Sequence, residues 1–271
     1  ACEQDTVMFF TDAGVTTAPT YQWEIWNGAT WIIPPPDIYA GVNDDTMYIN
    51  GIHSGIDGLQ IRLRLGGACE PEQISDTVTL TVYERPEVTG QPLDVTICEG
   101  DSTYFGVNAG VTTSPVYTWQ YEDGGSWQTA TGGFFADETS DTLLLEGGPP
   151  DWTGTQFRAI ISNLCGPSDT SMVAELTVNQ RPEIISQPVS VTTCEGISTS
   201  FSVDAGVTTN PSYLWQTHTG IMWIPVTGAN YSGQGTPTLN VLNPPSYMSG
   251  NAYRVLISGY CEPFVASDSV I

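Results

Sequence analysis

Between residues 102 and 109 apolar side chains fall on every second position, with Phe105, Val107 and Ala109 on one face and Gly106 and Asn108 between them. Alternation at period two is the signature of a strand with one buried face. The stretches 116–122, 142–146, 155–162 and 171–178 read as further strands, with Leu143 and Leu145 turned inward. A short strand is expected over 127–130. Residues 88–97 read as an extended edge strand, because Gln91-Pro92 interrupts them and proline offers no ladder donor. Cys98-Glu99-Gly100-Asp101 and the Cys-Gly-Pro run within 163–168 are turns. Short strands between Gly, Pro and Asp turns predict a two-sheet sandwich.

This pattern recurs with a step of 96 residues. Cys2, Cys98 and Cys194 keep that step, as do Cys69, Cys165 and Cys261. So do Trp23, Trp119 and Trp215; Trp31, Trp127 and Trp223; and Arg62, Arg158 and Arg254. Ala-Gly-Val-Thr-Thr recurs at 13–17, 109–113 and 205–209, and Arg-Pro-Glu at 85–87 and 181–183. A fixed period of this kind marks an array of like units. The expected units are 1–84, 85–180 and 181–271. The first lacks a segment equivalent to 182–193, and the last stops inside its final strand. The chain therefore reads as a window on a longer array, or as a protein whose ends borrow strands from neighbours. No signal peptide opens the given residues, and Ala1-Cys2-Glu3 reads as an interior cut or a processed end.

Composition narrows the function. The net charge is −24 and only 13% of residues are charged, so the surface must be built largely of Thr, Ser, Asn, Gln and Gly. All six basic residues are arginine. A chain this acidic cannot neutralise phosphates, which argues against nucleic acid and anionic membrane as partners. No apolar run approaches the length needed to span a bilayer. The absence of lysine also excludes the Lys–Asn isopeptide crosslinks that stiffen some bacterial pili.

The landmarks resemble a known family. Val107 precedes Trp119 by 12 residues, the spacing of a second-strand core position and the core tryptophan in immunoglobulin domains. Phe157 and Ala159 stand where that family has its corner tyrosine and its second buried cysteine, and Tyr253 supplies the tyrosine in the third unit. Cys-Glu-Gly, Tyr-x-Trp-Gln and Cys-Gly/Glu-Pro resemble the immunoglobulin-like repeats of large bacterial cell-surface, gliding or biofilm adhesins. The resemblance covers the whole chain and implies an all-β array of three tandem immunoglobulin-like β-sandwiches, the first and last incomplete. The family's buried cysteine pair is missing. Its places hold Thr11 and Leu63, Val107 and Ala159, and Val203 and Val255, so the cores must rest on packing around Trp23, Trp119 and Trp215.

Six cysteines at repeated spacing in an extracellular-looking chain imply disulfides. Pairing within units gives Cys2–Cys69, Cys98–Cys165 and Cys194–Cys261. In the immunoglobulin topology, however, the strands over 102–109 and 155–162 run the same way. Cys98 precedes one and Cys165 follows the other, so they lie at opposite ends, roughly 25 Å apart. A disulfide needs Cα atoms within about 7 Å. Pairing between neighbours, Cys2–Cys165 and Cys98–Cys261, is therefore preferred, with Cys69 and Cys194 reaching beyond the window. Intra-unit pairing and free thiols remain alternatives. The units abut without a Gly/Ser linker, and Pro86 and Pro182 stiffen the entries.

Catalytic chemistry finds little footing. His53 and His218 are not equivalent by the repeat and read as solvated residues. No Ser/His/Asp or Cys/His set recurs, and no phosphate loop or zinc spacing appears. Asp44, Asp45, Asp137 and Asp141 (with Glu138) form acidic loops that are weak Ca²⁺ candidates. Trp31, Trp127 and Trp223 read as packing, with carbohydrate stacking as the alternative. Trp26 and Trp152 read as exposed contact residues. Arg62, Arg158 and Arg254 are expected to pair with carboxylates. Asp-Ser/Thr followed by an apolar residue or Thr resembles an O-glycosylation sequence of bacterial surface proteins, at Thr6, Thr46, Thr77, Ser102, Thr142 and Ser269. Asn230-Tyr231-Ser232 is an N-glycosylation sequon.

The expectation is a non-enzymatic, cofactor-free structural segment of a secreted extracellular filament or surface stalk, with other repeats or copies of itself as partners. The alternatives are an adhesin module gripping glycan or a partner cell surface, and accessory repeats of a large secreted enzyme.

Overall fold

The computed structural model describes residues 1–69 and 71–271. It is all-β apart from three single 3₁₀ turns, Ser54–Ile56, Pro150–Trp152 and Ser246–Met248. The middle repeat shows the plan. Its strands are β1 (Val95–Cys98), β2 (Thr103–Gly106), β3 (Val116–Asp123), β4 (Ser126–Thr129) and β5 (Phe135–Ala136). They are followed by β6 (Thr142–Leu145), β7 (Gln156–Ser162), β8 (Asp169–Thr170) and β9 (Ala174–Asn179). One sheet has the order β2-β6-β5 and is antiparallel. The other has the order β4-β3-β7-β9-β1, with β8 also on β7 and β1 running parallel to β9.

The segment read as one edge strand over 88–97 divides between the sheets. Gly90 bridges Asn108 in antiparallel fashion on the first sheet, and β1 then joins the second. Buried Pro92 stands between the two pieces. With no N–H to donate it cannot continue a ladder, so the crossover falls there. Side chains replace the missing ladder bonds: Gln91 Oε1 accepts the Met172 N–H at 2.7 Å and Asp94 Oδ1 accepts that of Glu175 at 2.8 Å.

Alternation along β2, β3, β6 and β7 sends Phe105, Trp119, Leu143, Leu145, Phe157, Ala159 and Ile161 into one buried cluster. Trp119 lies opposite Ala159 in the β3–β7 register, and Phe105 stacks on Phe157 with ring centroids 4.4 Å apart. Phe105 belongs to the first sheet and Phe157 to the second, so their stacking joins the two sheets, while Trp119 fills the core beside the small Ala159 of its own sheet. The indole N–H is not wasted, because Trp119 Nε1 donates to the Ser140 carbonyl at 3.0 Å. Trp23 and Trp215 are buried and donate in the same way to Asp44 and Thr236, each at 3.0 Å.

The frame repeats on either side. Residues 7–82 surround a cluster that includes Trp23, Met47, Ile49, Ile61 and Leu63, and residues 184–270 one that includes Phe201, Trp215, Leu239, Val255 and Ile257. Tyr253, at the corner position, is buried, and its hydroxyl lies 3.0 Å from that of Tyr231. Burial, and then this bond, raise the Tyr231 phenol above its ordinary range. In the first repeat, Cys2 bridges Tyr83 in parallel, one step back from the β1–β9 pairing of Cys98 with Asn179.

Candidate functional site at the joints between repeats

The residues that repeat most faithfully outside the cores converge where one sandwich meets the next. The linker 84–87 leaves the first repeat as Glu-Arg-Pro-Glu. The Ala-Gly-Val-Thr-Thr loop of the second repeat receives it. Thr113 Oγ1 accepts the Glu84 N–H at 2.9 Å, and Thr112 Oγ1 accepts the Glu87 N–H at 3.1 Å. Thr112 in turn donates to the Ala109 carbonyl at 2.6 Å, which fixes its rotamer. The next joint repeats this, with Thr209 taking the Gln180 N–H at 2.9 Å and Thr208 that of Glu183 at 3.1 Å. The recurring pentapeptide is thus a cap for an extended linker, supplying acceptors that a strand would otherwise provide.

Arginine clamps the same spot. The Arg85 guanidinium donates to the Asp5 carboxylate at 2.7 Å, to the Glu3 carbonyl at 2.8 Å and to the Gly166 carbonyl. Asp5 and Glu3 belong to the first repeat and Gly166 to the second. Arg181 does the same one step on, donating to Asp101 at 2.5 Å, to the Glu99 carbonyl at 2.9 Å and to the Glu262 carbonyl. The planar fork with five donors suits this three-way grip, which a lysine ammonium cannot match. At the first joint Asn163 adds bonds from Nδ2 to the carbonyls of Glu84 and Thr113, at 2.7 and 2.9 Å. Glu3 also shares a hydrogen bond with Glu84; this, followed by burial and mutual repulsion, raises the Glu3 carboxyl above the ordinary range. Gln180 takes the place of Glu84 at the second joint.

The sulfurs close the joints covalently. Cys2 is bonded to Cys165 and Cys98 to Cys261, with Cα atoms 5.5 and 5.8 Å apart and sequence separations of 163. The turn after β1 of one repeat meets the turn after β7 of the next, as the parallel sense of β2 and β7 requires. The intra-repeat alternative, Cys2–Cys69, Cys98–Cys165 and Cys194–Cys261, does not form. Cys69 and Cys194 are exposed thiols.

Replacing Arg181 with alanine is expected to loosen the second joint while its disulfide holds. The ion pair is half-exposed, so its loss costs about 1 kcal/mol. Amide exchange at Glu183 should then quicken about fivefold, with core amides unchanged. Unaltered exchange at Glu183 would show that the clamp carries no load.

The other expected sites resolve differently. Arg62 pairs with the buried Glu24 carboxylate at 2.7 Å. Arg158 and Arg254 instead donate to the amide oxygens of Gln120 and Gln216, both at 2.9 Å, so the expected carboxylate partner holds for one of three. All three guanidinium groups lie over the rings of the recurring tryptophans: Arg62 on Trp31 at 4.2 Å, Arg158 on Trp127 at 4.0 Å and Arg254 on Trp223 at 4.5 Å. One face of each indole is therefore occupied by a cation–π contact and closed to a sugar ring. Trp152 is packed among Tyr121, Phe135 and Phe157 at the core's edge, and Trp26 lies 5.6 Å from Trp31. Neither is the exposed contact residue expected from sequence.

Among the described residues, no three His, Cys, Asp or Glu side chains converge on one point. The carbonyls of Asp45 and Asp141 receive the N–H groups of Thr11 and Val107, and that of Asp44 receives Trp23. Asp137 has φ of 58° where the other repeats place Gly41 and Gly233, so it holds a left-handed turn that aspartate tolerates. Thr6, Thr77, Ser102 and Ser269 are exposed, while Thr46 and Thr142 are half-buried. Asn230 of the sequon is held by its Nδ2 on the Leu242 carbonyl at 3.1 Å. His53 and His218 each accept a nearby glycine N–H at 3.2 Å. Among the described residues no helix is long and apolar enough to cross a membrane.

No family model matches the chain. Endoglucanase C of Cellulomonas fimi is 29% identical over 179 residues, which span 65% of this chain and 15% of that protein's length. Among solved structures, the I-band fragment I67-I69 from titin matches 99% of this chain and 92% of its own with a TM-score of 0.67 at 14% identity. The N-terminal eight Ig domains of Down Syndrome Cell Adhesion Molecule match 99% of this chain and 34% of theirs, with a TM-score of 0.59 at 14% identity. DIP-gamma IG1+IG2 match 69% of this chain and 95% of theirs, with a TM-score of 0.51 at 15% identity. The chain is an all-β tandem of immunoglobulin-like sandwiches, and its structural likeness is to domains of that class.

Proposed function

We propose that the chain is a load-bearing segment of a secreted extracellular filament or surface stalk, built from the units 1–84, 85–180 and 181–271 and belonging to the bacterial surface-repeat type. The observation that carries this reading is the covalent joint. Each disulfide ties a repeat to its neighbour. A crosslink so placed restricts bending between units, which matters to a stalk and not to a catalyst. The arginine clamp and the threonine-capped linker act on the same degree of freedom. Electron microscopy of the native material tests the reading. Straight beaded particles with a spacing of about 40 Å per repeat are expected, from strand length plus loops. Compact globular particles would refute it.

The similarity to part of Endoglucanase C favours a second reading, accessory repeats of a larger secreted enzyme. A catalytic domain encoded in the same reading frame would establish it.

A further inference from the structure

The two joints share one backbone plan and differ in one pair of side chains. At the first, Cys2 bridges Tyr83 in parallel, and the Glu3 N–H donates to the Tyr83 carbonyl at 2.9 Å. At the second, Cys98 pairs with Asn179 in parallel, and the Glu99 N–H donates to the Asn179 carbonyl at 2.8 Å. One step on, the same register sets Glu3 beside Glu84 and Glu99 beside Gln180. Strands so paired lie about 5 Å apart, close enough for such neighbours to meet. The first joint therefore holds two carboxyl groups side by side, and the second a carboxyl group beside an amide.

The backbone prevents the pair from drifting apart. The Glu84 N–H is held by Thr113 and its carbonyl by Asn163, while the Glu3 carbonyl is held by Arg85. Both glutamates are half-buried. Three further charged or titratable groups surround them. Arg85 is already divided between the Asp5 carboxylate and the carbonyls of Glu3 and Gly166. His53 caps its 3₁₀ turn, its Nδ1 accepting the Gly55 N–H at 3.2 Å. It has no counterpart at the second joint, where Pro149 takes its place. His53 and Arg85 draw Glu3 toward its charged form. The hydrogen bond with Glu84, burial and the repulsion between the two carboxylates outweigh them and hold the Glu3 carboxyl above its ordinary range.

We infer that the first joint is a proton-responsive hinge: a proton shared between Glu3 and Glu84 tightens the linker against the second repeat, and its loss loosens that contact, while the second joint does not respond. The inference concerns the joint itself and does not rest on the filament reading. In the tight form a protonated Glu3 donates to the Glu84 carboxylate. In the loose form both are ionised and repel, within a chain whose net charge is already −24. The sign follows from the raised carboxyl. Its contribution is complete below the unfolded-chain value of about 4.3 and is lost as pH rises through the higher folded value. The Cys2–Cys165 bond does not titrate and keeps the repeats attached throughout. The proton therefore sets the stiffness of the first joint and not its connection.

Amide exchange of the whole chain, corrected at each pH for the intrinsic rate, tests the inference. The Glu87 N–H, bonded to Thr112, reports on the first joint, and the equivalent Glu183 N–H, bonded to Thr208, on the second. Between about pH 4 and about pH 8, protection of Glu87 relative to Glu183 is expected to fall about threefold, the effect of one half-exposed hydrogen bond. Glu3→Gln and Glu84→Gln each leave a carboxylate beside an amide, as at the second joint, and the ratio should then stay flat. His53→Asn retains an acceptor for the Gly55 N–H and should leave the fall in place. The core amides of Trp119 and Trp215 serve as the folding reference in every variant. A flat ratio in the unaltered chain, a fall that survives either glutamine variant, or one that vanishes with His53→Asn would overturn the inference.

Discussion

Trp119→Ala is expected to destabilise the middle repeat by about 3–5 kcal/mol, the range for emptying a large buried aromatic site. The indole is fully buried, packs across the β3–β7 register from Ala159, and caps the Ser140 carbonyl. The loss also strands a carbonyl acceptor in a half-buried position. Calorimetry of the whole chain should show one transition moving to lower temperature while those assigned to the other two repeats stay in place. Unfolding of a multi-unit chain is resolved into such steps rather than one two-state event. A uniform shift of every transition would mean that the three clusters unfold as one core, contrary to their separation.

Removing a joint disulfide is the second large effect. In Cys98→Ser/Cys261→Ser the closed loop of 163 residues is released. The chain-entropy account assigns about 5 kcal/mol to a loop of that length. Because both thiols are removed, no free sulfur remains at the joint to exchange. Urea unfolding should shift to a lower midpoint, and small-angle scattering should report bending confined to the joint between the second and third repeats. An unchanged midpoint would show that the clamp and linker alone fix the joint.

Much of this was legible in the residues. The 96-residue step placed the core tryptophans, and alternation placed β3, β6 and β7 within a residue and β2 within three, because buried sheet faces leave a period-two trace. The direction of β2 and β7 favoured cysteine pairing between neighbours, and the structure has those bonds. The short β5, Phe135–Ala136, was not legible, since two residues carry no period. The division of 88–97 between two sheets was signalled by Pro92, yet a proline marks a break without saying where the chain goes next. The arginine clamp was missed for a different reason. Four of its six acceptors are backbone carbonyls, which every residue possesses and no sequence pattern displays. Only the recurrence of Arg-Pro-Glu, with Asp5 and Asp101 one step apart, hinted at it. The Arg–Trp stacks were hidden similarly, because both residues recur but their partner changes from Glu24 to Gln120 and Gln216.

The placement of the disulfides has a consequence for how such a molecule fails. Cys2 and Cys165 lie on either side of the 84–87 linker, and Cys98 and Cys261 on either side of 180–183. Tension therefore has two parallel routes across each boundary, one through peptide bonds and one through sulfur. A protease that cuts the connection severs only one of them, and the two fragments stay attached until a reductant arrives. Digestion and reduction must act together to shorten the strand, so neither alone disassembles it.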